Sequence, residues 1–121
     1  MDGRSFEVVA AGVMSTHFGV ALGPRKVAGT PKRFDLVSSD GSIVGDAKYY
    51  TMVRGVSPPP AKRSVIAEYV WLLEHTKAEQ RFLVFGNDRR VPEGWLKDYG
   101  HLLNGIDFYF IDVQGTLFTL K

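Results

Sequence analysis

The chain has 121 residues, 45% of them apolar, with 15 Lys and Arg against 13 Asp and Glu and no cysteine. That suffices for one compact domain over residues 1–121 and is too little for two. It excludes a disulfide scaffold or a thiolate metal centre and fits a reducing compartment, so the expected location is cytoplasmic.

The opening MDGRSFEVVAAGVM carries Glu7 and no basic leader ahead of an apolar stretch. No apolar run approaches the roughly 18 residues of a membrane span, so neither a secretory signal nor a membrane partner is expected. Phe6, Val9, Ala10, Val13 and Met14 recur at helical spacing, which predicts a helix from Ser5 to about Ser15 with Glu7 at the edge of its apolar stripe. The stretch GVALGPRKVAGTP reads as loop or a short irregular strand. It lacks the Gly-Lys-Ser/Thr ending of a phosphate-cradling P-loop. Two strands follow, about Arg33 to Ser38 and Ser42 to Tyr50, and RGVSPPP breaks the chain. A helix over about Ala61 to Lys77 carries a wide apolar face from Val65, Ile66, Tyr69, Val70, Leu72 and Leu73. RFLVFGN reads as a buried strand, VPEGWLKDYGHLL as a helix with Pro92 near its start, and IDFYFIDVQGTLFTLK as two strands around Gln114-Gly115. The order helix, hairpin, helix, strand, helix, hairpin defines an α/β domain, a sheet with helices on its faces.

The first hairpin carries the chemistry. With Asp40-Gly41 as a two-residue turn, antiparallel pairing sets Asp35 directly opposite Asp46. Such partners lie roughly 4.5 to 5.5 Å apart at Cα with side chains on one face, and strand alternation adds Lys48 to the face of Asp46. Two facing carboxylates repel unless a cation joins them or one is protonated. Magnesium accepts one or two carboxylates plus water and phosphate oxygen, and a neighbouring ammonium can orient a water and stabilise developing charge. That combination is the one metal-assisted phosphodiester hydrolysis requires. The duller competitor is an exposed hairpin face on which Lys48 neutralises one acid, an arrangement worth little.

These residues resemble the PD-(D/E)XK nuclease superfamily, with its restriction-endonuclease-like core of a central mixed sheet flanked by helices. The match runs through Phe34-Asp35 and the triplet Asp46-Ala47-Lys48, behind a helix bearing Glu7, and the element order to about Phe85 agrees. Phe34 stands where the family name has proline, and Asp46 where glutamate is more frequent. The resemblance implies a nuclease using Mg²⁺ or Mn²⁺ held by Asp35, Asp46 and the Ala47 carbonyl, with Lys48 acting on the nucleophilic water and Glu7 helping to hold the ion or its water. Relatives often place a glutamine or a base on the helix after the triplet; here the candidates are Lys62, Arg63 and Glu68.

Charge is uneven along the chain. From Pro24 to Arg63 eight bases face three acids, whereas the remainder carries seven against ten. Arg25, Lys26, Lys32, Arg33, Arg54, Lys62 and Arg63 are therefore expected to contact backbone phosphates of nucleic acid, most readily DNA, with little sequence preference. So short a chain covers a small footprint, which points to a homodimer or a subunit of a larger complex. His17, His75 and His101 lack ligand spacing, so zinc is not expected. Tyr49, Tyr50 and Trp71 read as core or helix surface, and Asp107 and Asp112 as decoration of the last hairpin. Two rival readings are a non-catalytic nucleic-acid-binding or assembly subunit with a nuclease-like fold, and a small protein-interaction domain.

Overall fold

A computed structural model describes residues 1–52 and 60–121. Helix α1 (Gly3–Phe18) is followed by β1 (Gly23–Lys26), β2 (Arg33–Val37), β3 (Ile43–Tyr50), α2 (Pro60–Glu74), β4 (Gln80–Asn87), α3 (Arg90–Tyr99) with a 3₁₀ turn (Gly100–Leu102), β5 (Asp107–Ile111) and β6 (Leu117–Thr119). The strands form one six-stranded mixed sheet in sequence order. β3, β4 and β5 run parallel, and the β1–β2, β2–β3 and β5–β6 pairs are antiparallel. The α/β class and the helix-flanked sheet are as expected. GVALGPRKVAGTP supplies β1.

Helix α1 is longer than the apolar stripe alone marks, because caps extend it at both ends. The Asp2 side chain accepts the Ser5 N–H at 2.8 Å, and Gly19 closes the helix in a left-handed conformation, φ 74°, its N–H donating to the Ser15 carbonyl. Such caps satisfy backbone groups that a helix end would otherwise leave open. α2 stops at Glu74, short of Lys77, where Thr76 turns its N–H and hydroxyl onto the Leu73 carbonyl.

The sheet separates two apolar layers. On one face Phe34, Val44, Leu83, Phe85 and Phe108 pack against Ile66, Val70 and Leu73 of α2 and Val91 and Trp95 of α3. On the other Leu36, Ala47, Phe82, Val84 and Tyr109 pack against Phe6, Ala10 and Met14 of α1. Alternate residues of β4 serve opposite layers, as a strand buried on both sides must. The second layer leaves no slack at Gly45, where an added Cβ would sit 2.3 Å from the Phe82 ring. Among the described residues no helix is long and apolar enough to cross a membrane.

Candidate functional site

The geometry of the site starts with an irregularity in β2. Gly23 of β1 pairs with Val37 and Arg25 pairs with Phe34, so Pro24 alone faces both Asp35 and Leu36. This is a β-bulge, placed opposite a residue that has no N–H to give. On the other side β2 pairs with β3 through Leu36–Gly45 and Val37–Val44, the register expected from the Asp40-Gly41 turn. Asp40 fixes that turn by accepting from the Ser38 hydroxyl at 2.8 Å and from the Ser42 N–H and hydroxyl at 3.0 and 2.8 Å; these bonds hold its carboxyl down at about 2.

The ladder ends at Leu36–Gly45, and β2 and β3 fork beyond it. Two carboxylates fill the fork. The Asp35 N–H donates to Asp46 Oδ1 at 2.9 Å, and the Ala47 N–H donates to Asp35 Oδ2 at 3.1 Å. Each acid thus takes a backbone N–H from the opposite strand, standing in for the ladder bonds the fork has lost. The sequence reading set both side chains on one face; the structure corrects this. The bulge turns Asp35 into the seam, where it leans toward α1 and hydrogen-bonds Glu7, whereas Lys48 lies toward α2. The two carboxylates meet between the strands.

Charge crowding follows from that packing. The hydrogen bond to Asp35, then partial burial and the Asp35 charge, push the Glu7 carboxyl above the ordinary glutamate range. Asp46 is only 3% exposed, and burial pushes its carboxyl up to about 7. The Lys48 ammonium, 2.6 Å from Asp46 Oδ2, and the Asp35 N–H pull the other way without cancelling that cost. Lys48 is itself buried, its Nζ 3.2 Å from the centre of the Tyr69 ring, and Phe34 meets that ring edge-on at 5.9 Å. Burial and the nearby Asp46 charge push the Tyr69 hydroxyl up to about 12.

Glu7, Asp35, Asp46, Ala47 and Lys48 all line one cleft of about 380 Å³, together with Gly3, Arg4, Tyr49, Tyr50 and Tyr69. Arg4 and Tyr69 were not among the candidates read from the sequence. Arg4 carried a signal, since it precedes Glu7 by three residues on the same helix and so shares its face. Tyr69 carried none that separates it from the apolar stripe of α2.

The seven phosphate-contact candidates do not gather at this cleft. Lys32 approaches it beside Tyr69, 5.8 Å from the ring centre and 3.7 Å from Glu68. Lys62 lies 5.2 Å from the Tyr50 ring centre. Arg25 and Lys26 line a separate cleft with Ser38 and Asp40 at the turn end of the hairpin. Arg33 is exposed on β2. Arg63 turns to α3, paired with Asp98 at 2.5 Å, while its carbonyl accepts the Trp95 indole N–H. Arg54 lies outside the described residues.

The side-chain donors that the fork gathers beside Lys48 are carboxylate oxygens. Glu7, Asp35 and Asp46 offer hard oxygens of the kind magnesium accepts, while the Glu7 carboxyl is raised first by its hydrogen bond to Asp35 and the Asp46 carboxyl first by burial. Among the described residues no group of three or more His, Asp or Glu side chains is arranged to hold a metal ion. An ion here would complete its shell with water and substrate oxygen, as magnesium commonly does.

The chain matches no protein-family model, and neither a curated protein nor a solved structure matches it significantly.

Proposed function

We propose that the chain is a metal-dependent nuclease with a restriction-endonuclease-like core of the PD-(D/E)XK kind, hydrolysing phosphodiester bonds of nucleic acid, most readily DNA, with little sequence preference. The observation that carries this reading is the fork itself. Asp35 and Asp46 are each anchored by an N–H of the other's strand, Lys48 lies 2.6 Å from Asp46, and Glu7 closes the cluster beside Asp35. A purely structural ion pair needs one acid; a third acid driven toward protonation costs stability unless a cation belongs there.

In this reading Asp35, Asp46 and the Ala47 carbonyl hold Mg²⁺ or Mn²⁺, with Glu7 on the ion or its water. The ion supplies Lewis acidity at the phosphoryl oxygen and a more acidic water. The chain's own groups do the rest. The backbone N–H bonds fix both carboxylates without rotamer search, so little reorganisation remains for the reaction. Tyr69 and Asp46 hold the Lys48 ammonium at the cleft wall, where it orients the attacking water and offsets charge developing on the phosphate. A homodimer or a larger complex belongs to the proposal, because one small chain covers few nucleotides.

The test is cleavage of supercoiled and linear DNA with Mg²⁺ or Mn²⁺. Wild type should cut and lose all activity in EDTA, and Asp46→Ala and Lys48→Ala should each lose at least about 100-fold while still binding. The non-catalytic reading has one observation in its favour, that Lys48 is buried against Asp46 and Tyr69 rather than free. Salt-dependent DNA binding without cutting under either metal would establish it in place of the nuclease.

A further inference from the structure

Half of the lysines and arginines among the described residues carry an ion pair or a hydrogen bond. Lys48 is held by Asp46, Lys32 by Glu68, Arg63 by Asp98 and Arg89 by Glu93. Arg25 donates to the Val37 carbonyl, and Arg81 to the carbonyls of Leu73, Glu74 and Asn104. Arg4 differs. It is exposed and lines the acid cleft, and its guanidinium makes no ion pair or hydrogen bond among the described residues. Its charge acts through space to pull the Glu7 carboxyl, one turn along α1, downward.

We propose that Arg4 is a phosphate-positioning residue of the cleft, gripping a non-bridging oxygen pair of the substrate backbone beside the acids; this rests on the nuclease reading above. The chemistry favours it over the other bases. A guanidinium presents a planar fork that meets a phosphate bidentately and keeps its charge at every working pH. Three carboxylates in one cleft repel a polyanion, so a free cation on the cleft wall offsets a barrier that the acids themselves create. Arg4 stands on the α1 wall and Lys62 beside Tyr50 on the α2 wall. The backbone of the substrate would then cross the cleft from α1 to α2, over the carboxyl end of β3. Phosphate contacts of this sort set position and register and read no bases.

The experiment is fluorescence anisotropy of a 20-nucleotide duplex and of the matching single strand across a salt series, in EDTA so that nothing is cut. Each phosphate contact to duplex contributes about 0.9 to the slope of log affinity against log salt. Arg4→Ala should lower that slope by about one and weaken binding several-fold at low salt. Arg4→Lys should recover most of the slope but not all of the affinity, since the charge returns without the fork. Lys97→Ala, a base on α3 that does not line the cleft, should leave the slope unchanged. In the cutting enzyme, Arg4→Ala should raise KM far more than it lowers kcat. If wild type binds with a steep salt slope and Arg4→Ala keeps it, this assignment falls and the nuclease reading stands. If neither nucleic acid binds in a salt-dependent way, both fall.

Discussion

Asp46 makes the stability of the protein depend on pH in a direction opposite to most carboxylates. Its carboxyl is pushed from 3.8 to about 7 by burial. The native chain therefore holds this proton more tightly than the unfolded chain does. The resulting stabilisation is complete below about pH 4 and is lost as pH rises through about 7. Three pKa units correspond to about 4 kcal/mol. Between pH 5 and pH 8, where the unfolded carboxyl is already ionised, about 2 to 3 kcal/mol of it disappears. The clean perturbation is Asp46→Asn combined with Lys48→Met, which removes the acid without leaving an ammonium buried alone and retains an oxygen to accept the Asp35 N–H. Replacing a buried pair by neutral groups of similar size is often neutral or stabilising, so the double variant should match wild type at pH 5 and exceed it by about 2 to 3 kcal/mol at pH 8. Urea unfolding at both pH values, with equal m-values, measures the difference. Mg²⁺ at ten times its dissociation constant should return about 1.4 kcal/mol to wild type at pH 8 and nothing to the variant. Parallel pH curves for the two proteins would refute the argument, because they would mean that Asp46 is ionised throughout.

Cleavage should rise with pH as Asp46 and Glu7 surrender protons that compete with the ion; raising Mg²⁺ should move that acid limb to lower pH, which a pH–rate series at two metal concentrations reads directly. Glu7→Gln keeps a partner for Asp35 but loses a charged oxygen, so kcat should fall by about tenfold or more and the loss should shrink as metal concentration rises. Gly45→Ala sets a Cβ 2.3 Å from the fully buried Phe82 ring. It should cost about 1 to 3 kcal/mol in urea unfolding, with part recovered by Phe82→Leu. Arg63→Ala should change stability by less than about 1 kcal/mol and leave the salt slope of DNA binding unaltered, since Arg63 serves α3.

The elements were legible because each obeys a local rule. Phe6, Ala10 and Met14 repeat at helical spacing, and Phe82 to Phe85 alternate between two buried layers. The Asp40-Gly41 turn fixes the β2–β3 register. Basic residues were a poorer guide, because nearness in sequence does not place a side chain. Arg63 lies one residue from Lys62, yet a single step around α2 turns it about 100°, away from the cleft and onto Asp98. Arg4, distant in sequence from the hairpin, reaches the acids because α1 crosses the sheet over β2 and β3 with Glu7 on the same face.

The one-face arrangement failed for a reason no period-2 reading contains. Alternation assumes that each residue of β2 has one partner on either side, and against β1 that assumption breaks at Pro24. The extra residue there is Asp35 or its neighbour Leu36, so the strand slips by one on its outer side while keeping register with β3 on its inner side. The consequence is chemical as well as geometric. On a flat face two aspartates would be solvated and their repulsion screened. Drawn into the seam, they exchange water for two backbone N–H groups, and Asp46 is buried deeply enough to hold a proton near neutrality. A bulge that only bent the strand would leave Asp46 with an ordinary carboxylate range. Restoring alternation, by deleting one residue between Phe34 and Val37 and keeping an aspartate in the sequence, should therefore lower the Asp46 carboxyl and abolish metal-dependent stabilisation together.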